Sequence, residues 1–460
     1  MAKFQALDST HLLITEDFDK RALADIKLLA ADVDKTLYPN GMGNSITPPS
    51  AEAKEHLARN VRCFMEFMSR GHLAIPVTGN SPALAQQKFD RSGITYKVAE
   101  NPGVFCNGSL VLGVAGVLEY SASISDTLMK GIETWLSGSD GFFEFEGHKY
   151  VFAVNCMTKG SVLHLPPGKP NAETTRIADD WASMQLMKGD IALPGKFDWA
   201  GDPAYQVNLL LKSKSDFVKD FPEFEEDFSA KIGKIQSALL DELEAVVGRL
   251  ADRGYQGKNV IAPWLETNIV RQGVNKGQSL NRFIHTKTVI EAIGKVDVGK
   301  HVMVAGDAAN DLPMFLEWGQ VDDYNGQKLN ETEKPAVRMI MPDSEDEKLQ
   351  LESNVQNTVY EVMEVILHED NGGLRNKESI CKSDMAYRKS NSLAAKFHDH
   401  GLSYISSKDL KSILLLLSDE ETGRILQQSW HLFHNAISWD QNERASVLKV
   451  LQWLCEDLDG

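Results

Sequence analysis

Short apolar runs alternate with stretches of helical periodicity along the first hundred residues of this chain. Residues 26–32 (Ile-Lys-Leu-Leu-Ala-Ala-Asp) make a buried-strand pattern that stops at an acidic turn. The turn-rich stretch 37–49 predicts a loop or small hairpin. Leu57, Val61, Met65 and Met68 recur at helical spacing and predict a helix over 50–70. A second apolar run, 73–78, ends in Thr78-Gly79-Asn80-Ser81, a turn suited to starting a helix. A third strand pattern lies near 96–105. Strands alternating with helices predict βαβ crossovers and a parallel sheet, whose ligands sit at the carboxyl ends of the strands.

The middle of the chain changes character. Residues 142–154 predict two strands around a glycine turn, 171–187 a helix, 205–211 a strand, 230–253 an amphipathic helix and 260–270 a strand. That order is α+β, so residues 109–270 are expected to form an inserted domain. The first pattern then returns, with a helix after Lys276-Gly277 and strands over 302–306 and 336–341. The expected division is a core over 1–108 and 271–366, the insertion between them, and a helical extension over 367–460. Residues 1–25 read as a polar lead-in, and 342–357 and 368–394 as linker-like polar stretches. Leu410, Ile413, Leu414 and Leu417, and later Val447, Leu448, Leu451 and Leu454, give the extension two amphipathic helices.

Composition narrows the classes. The 460 residues are 42% hydrophobic and 25% charged, an ordinary globular balance with material for more than one domain. A net charge of −17 argues against nucleic acid or an anionic membrane as main partner. Five scattered cysteines without a CxxC pair, and the absence of a signal-like apolar segment, lead to the expectation of a reduced, cytoplasmic protein. Polar pairs such as His431/His434 and His398/His400 read as surface or interface groups, and Trp430, Phe433, Trp439 and Trp453 as docking or core aromatics. A homo-oligomer or protein partner engaging the C-terminal helices is therefore expected.

The chemistry concentrates at strand tips. Asp32 and Asp34 close the first apolar run, and Asp307 and Asp311 close the run 302–306. Carboxylates gathered at buried strand ends need a counter-charge, and an oxygen-rich set suits a hard cation, Mg²⁺ first. Asp32 is placed to attack phosphorus, and Asp34, on the same side at a spacing of two, to handle the leaving-group proton. Thr78 can bond a phosphoryl oxygen, and Lys276 can supply a compact positive charge. Asp307 would share the cation with Asp32 and a backbone carbonyl near Asp34, with Asn310 and Asp311 beside it.

Asp32-x-Asp34-x-Thr36, Thr78-Gly79, Lys276-Gly277 and Gly306-Asp307-x-x-Asn310-Asp311, in that order, resemble the four motifs of the haloacid dehalogenase-like (HAD) hydrolase superfamily. Asn107-Gly108 resembles the turn of its Cof-type, sucrose-phosphatase-like branch. The resemblance covers about residues 26–366. It implies an α/β fold, with a Rossmann-like parallel-sheet core, an α+β cap of the C2 (C2B-like) type inserted at 109–270, and a helical C-terminal extension beyond it. It implies a Mg²⁺-dependent phosphatase acting on a sugar phosphate or similar small phosphorylated metabolite through an aspartyl-phosphate. Asp32, Asp34, Thr78 and Lys276 would be catalytic. Thr36, Gly79, Asn80, Asn107 and Asn310 would surround phosphate and substrate, and Asp32, Asp34, Asp307 and Asp311 would be the metal-site acids. Asp34, where the superfamily's transport ATPases carry Thr, implies attack on phosphorus with an alcohol or phenol leaving group. Lys35 stands where many relatives have Gly, and Asn80 where Cof-like relatives commonly have Arg. The alternatives are a phosphomutase or phosphotransferase using the same site, or a regulatory binding protein on the same scaffold. Specificity is expected to lie in the cap, with 188–202 as the candidate loop.

Overall fold

The computed structural model describes residues 4–7, 12–42, 48–91, 97–98, 101–139, 141–165, 191–192, 203–213, 228–261, 264–323 and 326–369. The expected helix at 171–187, nearly all of the candidate loop at 188–202 and the helices of the C-terminal extension lie outside these residues.

Two strands, β1 (Gln5–Leu7) and β2 (Leu12–Ile14), precede β3 (Leu28–Ala31), whose four residues are all fully buried. Helix α1 (Ala51–Ser69) starts at Ser50, whose hydroxyl accepts from the Ala53 amide at 3.1 Å. Its apolar face buries Leu57, Val61, Phe64 and Met68 against the sheet. β4 (Leu73–Pro76) follows, then α2 (Pro82–Arg91). β5 (Gly103–Phe105), β6 (Leu110–Leu112) and β7 (Leu118–Ser121) form a small antiparallel sheet. The segment after Gly108 therefore first pairs with the core strand preceding it.

The inserted unit begins with α3 (Asp126–Gly138) and the hairpin β8 (Phe142–Phe145) and β9 (His148–Val151). β10 (Ala153–Met157), β11 (Ser161–His164), β12 (Ile191–Ala192) and β13 (Gln206–Ser213) follow. Helix α4 (Phe228–Val247) leads into β14 (Tyr255–Ile261) and β15 (Trp264–Arg271), giving a six-stranded sheet in the order β12-β11-β10-β13-β15-β14. The single strand expected at 260–270 is thus a hairpin, and 142–154 holds a hairpin plus the start of a third strand. Both short turns sit inside continuous apolar patterns, which hides them from periodicity alone. One face of the sheet (Val154, Cys156, Val207, Leu209, Ile269) packs on α3 and α4 residues including Leu128, Ile132, Trp135, Ile235, Leu239 and Leu243.

The chain returns to the core with α5 (Lys276–Ile284), α6 (Lys287–Ile293) and β16 (Val302–Gly306). A surface hairpin, β17 (Gly319–Asp322) and β18 (Lys328–Glu331), precedes β19 (Val337–Ile340), α7 (Glu347–Glu352), β20 (Val355–Gln356) and α8 (Val359–Glu369). The core sheet runs β1-β2-β20-β19-β16-β3-β4, parallel from β20 to β4 and antiparallel at the β1–β2 edge. Two stretches read as polar lead-in and linker therefore supply sheet strands. Their apolar residues are few, but Leu12, Leu349 and Val355 are fully buried, and neighbouring strands satisfy the backbone. No helix among the described residues is long and apolar enough to cross a membrane.

Candidate active site

Three adjacent parallel strands, β4, β3 and β16, end side by side. Each delivers a polar residue just past its tip: Thr78, Asp32 and Asp307. The Asp32 amide still donates to the Ala305 carbonyl at 2.9 Å, so the ladder fixes the nucleophile candidate to β16. Beyond it the chain folds back on itself. Lys35 adopts a left-handed φ of 56°, and the amides of Leu37 and Tyr38 bond the carbonyls of Asp32 (3.1 Å) and Val33 (2.7 Å). That turn carries the Asp34 carboxylate toward α2. Lys88 donates to one of its oxygens, and Asn80 Nδ2 donates to the other at 2.7 Å.

Lys276 is the first residue of α5, whose N-cap Asn275 accepts from the Gln278 amide at 2.8 Å. Its ammonium is buried and donates to Asp32 Oδ1 and to Asp311 Oδ1, both at 2.6 Å. The neighbouring Gly277 permits this approach: a Cβ there would sit 2.0 Å from the Pro313 carbonyl oxygen. Asp311 spends its other oxygen on the amides of Asp307 (3.0 Å) and Ala308 (3.2 Å), which shapes the loop that presents Asp307. Ser344, following β19, donates to the Asp307 carbonyl at 2.5 Å.

Electrostatics follow from this crowding. Burial, then the Asp311 carboxylate, push Asp32 well above the usual carboxylate range. Burial and Asp311 likewise push Asp307 up to about 7. Burial pulls the Lys276 ammonium down, but Asp311 and Asp32 outweigh it and hold it above its ordinary value. Burial pushes Asp34 up, and Lys88 with Asn80 outweighs it, so that carboxyl lies below its ordinary value.

One carboxylate oxygen each from Asp32, Asp307 and Asp311 lie within 4.8 Å of one another. Three ionised acids against one ammonium, which is bonded to Asp32 and Asp311, leave two negative charges, and every donor is a hard oxygen. These residues fit a divalent hard cation. Asp34 lies outside this trio, its carboxylate taken by Lys88 and Asn80.

The other expected site residues take distinct places. The Thr78 hydroxyl accepts from the Asn80 amide (3.1 Å) and from Asn80 Nδ2 (2.9 Å), which leaves its own proton to donate. Gly79 lies against the Asn107 side chain. Asn107 holds a left-handed φ of 52°, and its amide donates to the Thr78 carbonyl at 3.1 Å. Thr36 is fully buried, with a hydroxyl that has no partner. Asn107 and Asn310 line a cavity of about 860 Å³ together with Lys35, Lys258, Asn268, Lys276 and Asp307. Sequence reasoning missed Lys88, Lys258, Glu266 and Asn268. Lys88 has one legible signal, a cation among the apolar positions of α2; the other three are exposed only by cap strand register.

With the fold and site in place, comparison with known proteins identifies the family. A family model of haloacid dehalogenase-like hydrolases matches residues 29–321, and the chain belongs to that family. Among solved structures, the chain is similar to a phosphatase of the haloalkanoate dehalogenase superfamily from Bacteroides thetaiotaomicron, 14% identical over 77% of this chain and 98% of that one, with a TM-score of 0.44. It is also similar to a HAD/COF-like hydrolase from Plasmodium vivax, 14% identical over 76% and 99% of the two chains, TM-score 0.47. A haloacid dehalogenase-like hydrolase from B. subtilis is 14% identical over 75% and 99%, TM-score 0.43. No curated protein matches.

Proposed function

We propose that this chain is a Mg²⁺-dependent phosphatase that hydrolyses a small phosphomonoester, a sugar phosphate or similar metabolite, through an aspartyl-phosphate. The observation that carries the reading is the buried Lys276 ammonium, bonded to Asp32 and Asp311 at 2.6 Å each, with Asp307 in the same carboxylate group. Asp32, Asp307 and Asp311 are the residues that would hold the cation. When bound, it would neutralise phosphoryl charge and let an anionic nucleophile approach.

The chain's own residues do the rest. An Asp32 carboxylate oxygen attacks phosphorus, and the bond from phosphorus to the ester oxygen breaks. The departing alkoxide takes its proton from Asp34. Water then attacks the aspartyl-phosphate and gives a proton back to Asp34. The bond from phosphorus to Asp32 breaks, releasing inorganic phosphate and restoring both carboxyls. Lys276 and the Thr78 hydroxyl hold the phosphoryl oxygens, and the Asn107 turn presents backbone and side chain beside them. Lys88 and Asn80 orient Asp34 toward the ester oxygen.

The test is phosphate release from a panel of phosphorylated metabolites with Mg²⁺ or with chelator. Release that needs Mg²⁺, together with acid-labile phosphorylation of the protein that is absent from Asp32→Asn, supports the reading. A panel with no released phosphate and no labelled protein ends it.

A further inference from the structure

The cap sheet has two faces of opposite character. One is the apolar face packed on α3 and α4. Strand register sets the other. Asn155 lies opposite Asn208, Asn208 opposite Asn268, and Asn268 opposite Lys258. Residues paired across an antiparallel ladder share a face, and the two-residue period adds Gln206 and Glu266 to it. Four of these are amides almost wholly withdrawn from solvent: Asn155, Gln206, Asn208 and Asn268.

The amides are linked but not all spent. Gln206 Nε2 and Asn268 Nδ2 donate to the same oxygen of Asn208, at 2.7 and 2.8 Å. Asn107 Nδ2, from the core, donates to Gln206 at 3.0 Å and ties the row to the strand-tip site. Asn107 Oδ1 and Asn155 Nδ2 remain without partners although both side chains are buried. Turning either amide over exchanges which atom is unspent without removing the deficit. Asn107 lines the cavity, and a buried, unpaired amide atom there fits a hydroxyl group of a ligand.

Charge narrows the ligand further. Asn268 lines the cavity, and its Nδ2 donates to Glu266 Oε1 at 3.4 Å, so the two side chains form one polar pair at the cavity edge; burial pushes the Glu266 carboxyl up to about 7. Lys258 donates to the Val274 carbonyl at 3.3 Å, two residues before Lys276, and lines the cavity with it, so its charge lies toward the phosphoryl side. Asp343, Glu345 and Asp346 add negative charge to the cavity wall, and none of the described residues lining the cavity is aromatic. Beyond Lys276 and Asp307 the cavity wall thus carries three acids against Lys35 and Lys258, a balance that disfavours a second anion, and it offers a nucleobase no ring to stack on.

Resting on the phosphatase reading above, we propose that the cap's amide row recognises the leaving alcohol, with Asn268 and Glu266 taking the hydroxyl groups nearest Asp34, and that the enzyme selects uncharged polyhydroxylated phosphates against esters carrying a second anionic group. Asn268 and Glu266 are the specificity-determining pair. Asp34 handles the proton of the ester oxygen; the pair orients the carbon chain that bears it.

The test compares phosphate release by the full-length protein from glucitol 6-phosphate, 6-phosphogluconate and p-nitrophenyl phosphate. The wild type favours the glucitol ester over the gluconate by about tenfold or more in kcat/KM. Asn268→Ala lowers the glucitol-to-nitrophenyl ratio of kcat/KM by about tenfold, through KM on the glucitol ester. Glu266→Gln, which keeps the side-chain volume, narrows the preference for glucitol over gluconate and carries the test alone if Asn268→Ala does not fold. Equal handling of all three esters by the wild type overturns the proposal, as do variants that lower every ester in proportion or change neither ratio. Those results leave the phosphatase reading standing. Failure of the wild type to release phosphate from any ester counts instead against that reading and takes the proposal with it.

Discussion

Replacing Lys276 with Met tests the charge arrangement without any reference to substrate. The ammonium and its two partners are almost wholly buried, with side-chain exposures of 1% for Lys276, 7% for Asp32 and 0% for Asp311. Removing the cation strands two carboxylates in a low-dielectric interior, a change that costs about 3–5 kcal/mol. At roughly 2 °C per kcal/mol for a body of this size, the melting temperature falls by about 6–10 °C. The assay is thermal unfolding of wild type and Lys276→Met in chelator, at pH 8 and pH 5. The pH comparison carries the sign. Burial and the Asp311 charge already hold Asp32 well above the unfolded carboxylate value, and losing the ammonium that opposes them raises it further. The folded state then binds more protons, so stability falls as pH rises from the unfolded carboxylate value of about 4. The penalty is therefore largest at pH 8 and shrinks at pH 5, where the stranded Asp32 carboxyl protonates. A loss below about 1 kcal/mol, in the range of exposed pairs, would refute the argument. So would a penalty equal at both pH values.

Asp32→Asn should cut turnover by roughly a thousandfold or more, because an amide does not attack phosphorus; single-turnover labelling with radioactive phosphate checks it, and retained labelling removes Asp32 as the nucleophile. Lys88→Met should move the alkaline limb of the kcat/KM profile upward, since Asp34 must carry its proton in the phosphorylation step and the cation that holds it below its ordinary value is gone. A limb that stays put or moves down contradicts the Lys88–Asp34 pairing. Asp307→Asn should raise the Mg²⁺ concentration needed for half-maximal phosphate release by roughly tenfold or more, measured by titration after chelation; an unchanged requirement takes Asp307 out of the cation site. Gly277→Ala should destabilise by about 1–3 kcal/mol in denaturant titration, because its Cβ would lie 2.0 Å from the Pro313 carbonyl oxygen. An unaltered midpoint would show that α5 and the Pro313 backbone have room to spare.

The core strands were legible because they are apolar runs closed by polar turns. The runs at 26–32, 73–78 and 302–306 become β3, β4 and β16, with ends displaced by a residue or two. Helix α1 was equally plain, since Leu57, Val61 and Met68 repeat at the period of the face they bury. The edge strands β1, β2 and β20 were not. Three-residue or two-residue strands carry too few alternations to show a period, and their pairing comes from distant neighbours. The β14–β15 hairpin was hidden because residues 260–265, which join the two strands, are an unbroken apolar run.

For the candidate site, the sequence by itself settled which acids end which strands: Asp32 after β3 and Asp307 after β16 follow from local pattern alone. Only tertiary structure decided which charges meet. Lys276 and Asp32 are 244 residues apart in sequence, and the bond between them exists because α5 is docked over the tip of β3. Asp34 was visible as an acid two residues from another acid, but its clamp by Lys88 depends on where α2 lands. The amide row of the cap was the least visible. Its members come from β10, β13 and β15, and a shift of one residue in either register would turn an asparagine into the apolar core. Local sequence fixes the direction of a side chain relative to its own strand. Only the packed chain fixes what stands opposite.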